Sequence, residues 1–240
     1  MIKKLFGAGI GWAVGGPIGA IVGMAIGSMF ESGNATTKTG QRSNHTQQGD
    51  FNVSLIVLSA AVMKADGKIL KSELDFVKRF FIQNFGNEIA QEQIELLREV
   101  LKQELNITEI CGQINQQMRI TEKRLIMQYL FGIAKADGHV HPNEINVIQT
   151  IASYIGISAS EFLSMKAMNT GRETNENDYD ILGIKSDISD SDLKKTYRKL
   201  VVKHHPDKVA HLGNNHVASA KSKFQKIQKA YENIKKDRGL

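Results

Sequence analysis

Apolar residues recur every three or four positions along most of the chain, and this spacing predicts amphipathic helices. Between residues 51 and 166 the apolar stripes are interrupted at Gly67, Gly86 and Gly138, where helices are expected to end. The stripes include Leu55/Leu58/Val62, Phe76/Phe80, Ile94/Leu97/Leu101 and Leu125/Tyr129. Six or seven antiparallel helices account for this domain, and we expect the whole chain to be all-α.

The first 30 residues differ, because the run from Leu5 to Phe30 carries no charged side chain and no histidine. A helix of this length could cross a hydrocarbon core of roughly 30 Å. Glycines occupy every fourth position of the run, at Gly7, Gly11, Gly15, Gly19, Gly23 and Gly27. Such a stripe allows close backbone approach, so it predicts a membrane segment over 1–30 that can form a homodimer through a glycine zipper. Pro17 leaves both a single span and a helical hairpin open.

Polar stretches divide the rest of the chain into modules. Residues 31–50 and 167–177 lack apolar periodicity and predict linkers, which bound an all-helical domain at 51–166 and a C-terminal domain at 178–240. The chain has a net charge of +6, and residues 177–240 alone carry that excess. A single cysteine, Cys111, excludes an intrachain disulfide and a cysteine zinc site, which is typical of a reducing compartment.

The middle domain contains an internal repeat. Lys64-Ala65-Asp66-Gly67, followed by Glu73, returns 71 residues later as Lys135-Ala136-Asp137-Gly138, followed by Glu144. A structural interpretation is sufficient, because Gly67 and Gly138 can adopt the left-handed conformation after a helix, and Pro142 with Glu144 suits the first turn of the next. A second hypothesis is that Asp66, Glu73, Asp137 and Glu144 offer carboxylates to a divalent cation or a basic partner. Their spacing is not that of an EF-hand.

These paired KADG…E motifs, set in a helical domain of this length, resemble the TerB-like family associated with tellurite resistance. The resemblance covers roughly residues 51–165. It implies a compact helical bundle that displays acidic residues from two loops, and it implies no particular chemistry.

The C-terminal module has three predicted helices. A short one ends at Gly183, and a second, capped by Ser189 or Asp190, has an apolar stripe of Leu193, Tyr197, Leu200 and Val201. Its other face is basic, with Lys194, Lys195, Arg198, Lys199 and Lys203. Because a residue before proline leaves helical geometry, His205-Pro206-Asp207 is expected in an exposed turn before a third helix at about 218–235.

This arrangement resembles a J-domain of the DnaJ family over residues 177–240. The motifs DYDILGI, LKKTYRKLVVKHHPDK and KFQKIQKAYENIK stand in the expected order. The resemblance implies that His205, Pro206 and Asp207 contact a DnaK-type chaperone whose acidic surface binds the basic helix. The residues predicted to bind the chaperone are His205, Pro206, Asp207, Lys194, Lys195, Tyr197, Arg198, Lys199, Lys203 and Lys208. We expect no catalytic residue and no cofactor, since no Walker loop, Ser/His/Asp set or HExxH motif occurs.

The order of the three modules is similar to that of DjlA-like membrane co-chaperones. The resemblance implies a bacterial inner-membrane protein whose two folded domains face the cytoplasm, where ATP and the chaperone are. An alternative is a stress-responsive or metal-responsive scaffold in which the TerB-like domain acts and the J-domain only recruits a chaperone. Nucleic-acid binding by the basic module is disfavoured, because exposed aromatic residues do not alternate with its charges.

Overall fold

The computed structural model describes residues 2–31, 47–170, 175–208 and 214–240. Most of these residues lie in helices. No strand occurs in these ranges, so the all-α prediction is confirmed. The helices are α1 (Ile2–Glu31), α2 (Gln47–Met63), α3 (Lys71–Val100), α4 (Ile107–Gln117), α5 (Ile120–Ala134), α6 (Pro142–Tyr154), α7 (Ala159–Thr170), α8 (Asn175–Leu182), α9 (Asp190–Lys203) and α10 (Asn214–Arg238). They form two compact units, Met1–Gly156 and Ile157–Leu240.

The first unit is built around α2, whose apolar side chains Leu55, Leu58 and Met63 are fully buried. The predicted break at Gly86 is present inside α3, where this glycine adopts a φ of 84°. Tyr129 of α5 lies in the core with its ring 4.5 Å from that of Phe80. Its hydroxyl is 2.7 Å from the Ser59 hydroxyl, so the buried polar atom has a partner. The predicted apolar stripes therefore form one helical core.

Helix α1 is interrupted at Gly15 and Gly16, and the φ of Gly16 is +60°. Pro17 follows immediately and has no backbone N–H to continue the helical hydrogen bonds. Gly7 and Gly11 therefore precede the break, while Gly19, Gly23 and Gly27 follow it, and the predicted glycine stripe is not continuous. Among the described residues, no helix combines the length and the apolar character that a membrane crossing requires.

The second half of α1 packs within the first unit. Ile18, Ile21 and Ala25 are buried there. The Gln113 side chain bridges the break, because its Nε2 donates to Gly15 O at 2.8 Å and its Oε1 accepts from Ile18 N at 3.0 Å. Two further contacts join Gln103 Nε2 to Ile21 O and Ser28 Oγ to Glu99 Oε2. The sequence predicted a membrane segment over 1–30, as a single span or a hairpin, and the structure adds that the second half of α1 contacts side chains of α3 and α4.

The second unit combines α7 with α8, α9 and α10. Its core contains Ala167 and Met168 of α7, Leu182 of α8, Leu193 of α9 and Ile227 of α10. The Ser164 hydroxyl donates a hydrogen bond to Ile181 O, and Lys226 Nζ donates to Met168 O at 2.6 Å. The sequence predicted a linker from residue 167, but helix α7 continues to Thr170 because its last turn buries apolar side chains against α8.

Arg238, near the end of α10, closes this unit. Its guanidinium donates to the Tyr179 hydroxyl, to Asp190 Oδ1, and to the carbonyls of Ser186 and Ile188. These contacts tie the end of the last helix to the loop that precedes α9. The start of α9, and with it the direction of its basic face, is thereby anchored.

Candidate functional site

Helix α9 is positioned by its cap and by its apolar stripe. The Ser189 hydroxyl accepts a hydrogen bond from Asp192 N at 3.1 Å, as expected for a helix cap. Leu193 is buried, and the Tyr197 ring stacks on that of Tyr231 with centroids 3.9 Å apart and planes 5° apart. Desolvation raises the pKa of the Tyr197 hydroxyl. Tyr197 therefore joins α9 to α10 as a packing residue at the edge of the predicted site.

Four of the five predicted basic residues form an exposed face on α9. These are Lys194, Lys195, Arg198 and Lys199. Residues four positions apart lie on one side of a helix, so Lys194 and Arg198 share a row, as do Lys195 and Lys199. An exposed row of like charges attracts an acidic partner and raises its association rate. We call these four residues the basic face.

Lys203, the fifth predicted basic residue, lies in a different environment. Its ammonium is 2.6 Å from Glu161 Oε2 on α7, and the Glu161 side chain is only 8% exposed. The Lys203 side chain is 33% exposed. The charge at the end of α9 is therefore paired within the chain.

The predicted motif His205-Pro206-Asp207 forms the turn directly after α9. His204 N donates to Leu200 O at 2.9 Å and completes the helix, and Pro206 begins a single turn of 3₁₀-helix. Lys208 N then donates to His205 O at 3.1 Å. The His205 side chain is 47% exposed and that of Asp207 is 87% exposed. The expected exposed turn is thus present, with its two polar side chains accessible.

The imidazole of His205 is held by local contacts. Its Nδ1 accepts a hydrogen bond from Asp207 N at 3.4 Å and lies 3.3 Å from Asp207 Oδ2. The first contact suits a neutral ring, and the second becomes an ion pair when the ring is protonated. The Phe224 ring on α10 meets the imidazole edge to face at 6.0 Å. The motif is therefore an ordered turn, supported by α10.

The predicted residues thus lie on α9 and in the turn that follows it, and they are accessible except that Tyr197 packs inward and Lys203 is paired. Two residues near this site were not predicted from the sequence. Phe224 was only part of the motif KFQKIQKAYENIK, and Glu161 was placed in the domain at 51–166. Nothing in the sequence links Glu161 to Lys203, which lies 42 positions later.

The repeated loops of the first unit have matching geometry. Lys68 N donates to Asp66 Oδ1 at 2.9 Å, and His139 N donates to Asp137 Oδ1 at 2.8 Å. Gly67 and Gly138 both adopt positive φ, at 78° and 88°, as the repeat predicted. The first-turn carboxylates also match, since Glu73 Oε2 accepts from Leu70 N at 2.7 Å and Glu144 Oε2 accepts from His141 N at 2.8 Å. Both aspartates and both glutamates thus have structural roles.

The two glutamates of the repeat meet in the interior. Glu73 and Glu144 are 4% and 7% exposed, and their carboxyl groups share a hydrogen bond. Burial raises the pKa of Glu73 to about 7, the Leu70 amide opposes the shift, and the charges of Glu144 and Asp66 add to it. Burial also raises the pKa of Glu144. Two carboxyl groups in direct contact share a proton, because both cannot ionise at low cost.

The predicted cation ligands Asp66, Glu73, Asp137 and Glu144 therefore lie near one another. Within the described part of the chain, however, no group of three or more His, Cys, Asp or Glu side chains has an arrangement that could hold a metal ion. The aspartates bind backbone amides and the glutamates bind each other. This arrangement gives the metal-responsive alternative no support.

Comparison with known families divides the chain into three matched regions. Residues 1–41 match the family model described as the co-chaperone DjlA transmembrane domain, residues 52–167 match the tellurite resistance protein TerB, and residues 177–238 match the DnaJ domain. The chain therefore has the domains of a J-domain protein that also carries a TerB domain and an N-terminal segment similar to a transmembrane domain.

Relatives that match over their full length specify the class further. The chain is 28% identical to the co-chaperone protein DjlA of Coxiella burnetii, covering 100% of this chain and 98% of the relative. It is 27% identical to DjlA of Haemophilus influenzae and 25% identical to DjlA of Escherichia coli K12, with 99% of this chain and 98% of each relative covered. No solved structure matches significantly. In domain content, domain order and length the chain is DjlA-like, which confirms the resemblance found in its sequence.

Proposed function

We propose that the chain is a membrane-anchored co-chaperone that binds a DnaK-type chaperone through the basic face and the His205-Pro206-Asp207 turn, and so stimulates ATP hydrolysis by that chaperone. The observation that carries the proposal is the ordered, exposed turn placed directly at the end of a helix with an exposed row of cations. The J-domain match and the names of the full-length relatives support it.

The proposed action requires no catalytic group in this chain. Binding accelerates hydrolysis in a partner if the bound surface fits one conformation of that partner better than another, because the conformational equilibrium then shifts. The basic face would raise the association rate with an acidic surface and set the register of docking. His205 and Asp207, which are close together and accessible, would then make the contacts that distinguish the two conformations.

The test is the rate of ATP hydrolysis by a purified DnaK-type chaperone, measured with the full chain in detergent micelles. We expect the wild type to stimulate hydrolysis and His205→Gln to lose most of this effect. Loss of a central interface residue costs about 2 kcal/mol or more, and each 1.4 kcal/mol is a factor of ten, so at least about thirtyfold more of the variant should be needed. His139→Gln is the matched control, because His139 is exposed in a loop of the first unit. Equal stimulation by wild type and His205→Gln would exclude the proposed role of the turn.

The proposed site also requires an orientation in the membrane. The TerB domain and the J-domain would both face the cytoplasm, since ATP and a DnaK-type chaperone are found there. The match of residues 1–41 to a transmembrane family supports membrane anchoring. Protease treatment of right-side-out and inverted inner-membrane vesicles tests the orientation, and we expect cleavage of these two domains only in the inverted vesicles. Pairing of two chains through the glycine stripe stays a prediction; its residues are Gly7, Gly11, Gly15, Gly19, Gly23 and Gly27.

A further inference from the structure

The ion pair between Glu161 and Lys203 connects a helix outside the matched J-domain to the end of the basic helix. Glu161 lies in the first turn of α7, where Ser158 Oγ accepts from its backbone N–H at 3.3 Å. Helix α7 is fixed against α8, because Ala167 and Met168 enter the shared core and the Ser164 hydroxyl binds Ile181 O. Gly183 also approaches α7 closely, since a Cβ there would lie 3.4 Å from Ser160 O. The carboxylate is therefore presented to Lys203 by a rigid element.

Burial makes this pair difficult to separate. The Glu161 side chain is 8% exposed and its Oε2 lies 2.6 Å from Lys203 Nζ. Moving the ammonium away would cost the buried carboxylate this ion pair, and that loss is unfavourable. A partner that draws Lys203 onto its own acidic surface must overcome this cost. The basic face has no such restriction, because Lys194, Lys195, Arg198 and Lys199 are exposed.

We infer that Glu161 is a positioning residue for the chaperone-binding surface, because it holds Lys203 against α7 and thereby lowers the affinity of α9 for an acidic partner. This inference rests on the proposed function. Lys203 stands two positions before His205, so its ammonium would otherwise extend the row of Lys195 and Lys199 to the edge of the turn. A helix that precedes the J-domain in the chain thus sets how strongly the J-domain binds.

The experiment measures the affinity of the full chain, in detergent, for a DnaK-type chaperone in the presence of ATP. We expect Glu161→Gln to bind about three to five times more tightly than the wild type, which is the effect of one additional surface ion pair. The gain should shrink as salt is raised, because salt screens exposed charges. It should be absent when Glu161→Gln is combined with Lys203→Gln. A purely structural role of Glu161 would instead produce weaker binding in every background.

Glu88→Gln is the matched control, because it makes the same change of charge at an exposed position on α3. If Glu161→Gln binds as the wild type does, or more weakly, while His205→Gln abolishes stimulation, the inference is wrong and the proposed function stands. If the wild type itself neither binds nor stimulates the chaperone, the proposed function fails.

A second measurement tests the ion pair without the chaperone. An amine-reactive reagent should label Lys203 more slowly than Lys199 in the wild type, as followed by mass spectrometry of peptides. Glu161→Gln should raise the rate at Lys203 and leave the rate at Lys199 unchanged. Equal rates at the two lysines in the wild type would show that Glu161 does not hold Lys203, and would overturn the inference.

Discussion

Replacing Met168 with Ala is expected to accelerate amide hydrogen exchange in α8 and α10 by at least about thirtyfold. Met168 of α7 is 9% exposed and lies in the core of the second unit with Leu182 and Ile227. Truncating a buried Met to Ala costs about 2 to 5 kcal/mol, and each 1.4 kcal/mol is a factor of ten in an opening equilibrium. Hydrogen exchange measured by mass spectrometry on the full chain reports each helix separately.

The matched control lies on the same helix. Leu163 of α7 is 53% exposed, so Leu163→Ala removes a similar side chain without opening a cavity in this core. It should leave exchange in α8 and α10 within about twofold of the wild type, because exposed substitutions have small effects on stability. If Met168→Ala accelerates exchange in α2 and α5 and leaves α8 unchanged, α7 belongs energetically to the first unit, and its grouping with the J-domain helices is wrong.

The sequence predicted the second unit well where local rules determine the structure. Gly183 adopts a φ of 66° and ends α8, Ser189 caps α9, and His205-Pro206-Asp207 forms an exposed turn, all from signals that act over a few residues. The sequence placed residues 159–166 in the domain that ends at residue 166, as does the TerB match over 52–167, whereas the structure groups α7 with the second unit. An apolar stripe shows that a helix buries one face, but it does not identify the surface that covers this face.

The same reasoning applies to the contacts of the N-terminal segment. The uncharged run from Leu5 to Phe30 is long enough for a membrane helix. Its length and lack of charge do not show which surface the segment contacts. The contacts of Gln113 with Gly15 O and Ile18 N depend on residues 95 or more positions apart in the chain. Pro17 indicated the position of the break, whereas the protein surface that receives the second half of α1 emerged only from the tertiary structure.

The repeat shows a third limit. Its spacing correctly predicted two equivalent loops with glycines in the left-handed region. It did not predict that Glu73 and Glu144, 71 positions apart, hydrogen bond to each other, because a repeat in sequence does not state how its two copies pack. This contact favours a shared proton at the pair over the cation site that was the second hypothesis for these loops.

Replacing Glu73 with Gln is therefore expected to stabilise the chain above neutral pH and to flatten its pH dependence. Burial raises the pKa of Glu73 from 4.5 to about 7, so the folded state binds a proton that the unfolded state has already lost at neutral pH. This contribution to stability is complete below pH 4.5 and is lost as the pH rises to about 7. At 1.36 kcal/mol per pKa unit, the free energy of unfolding should fall by about 3 kcal/mol across this range.

Glutamine can replace the protonated carboxyl, because its oxygen can accept from Leu70 N and its amide can donate to Glu144. Asp66 and Asp137, the other acidic groups near the pair, remain unchanged in this variant. Urea unfolding followed by circular dichroism at pH 5 and pH 8 should therefore show Glu73→Gln more stable than the wild type at pH 8 only. Glu122→Gln is the matched control, since Glu122 Oε2 accepts from Arg119 N at 2.7 Å in the exposed start of α5. If Glu73→Gln is destabilised equally at both pH values, the pair carries no shared proton and the buried carboxylates have another compensating charge.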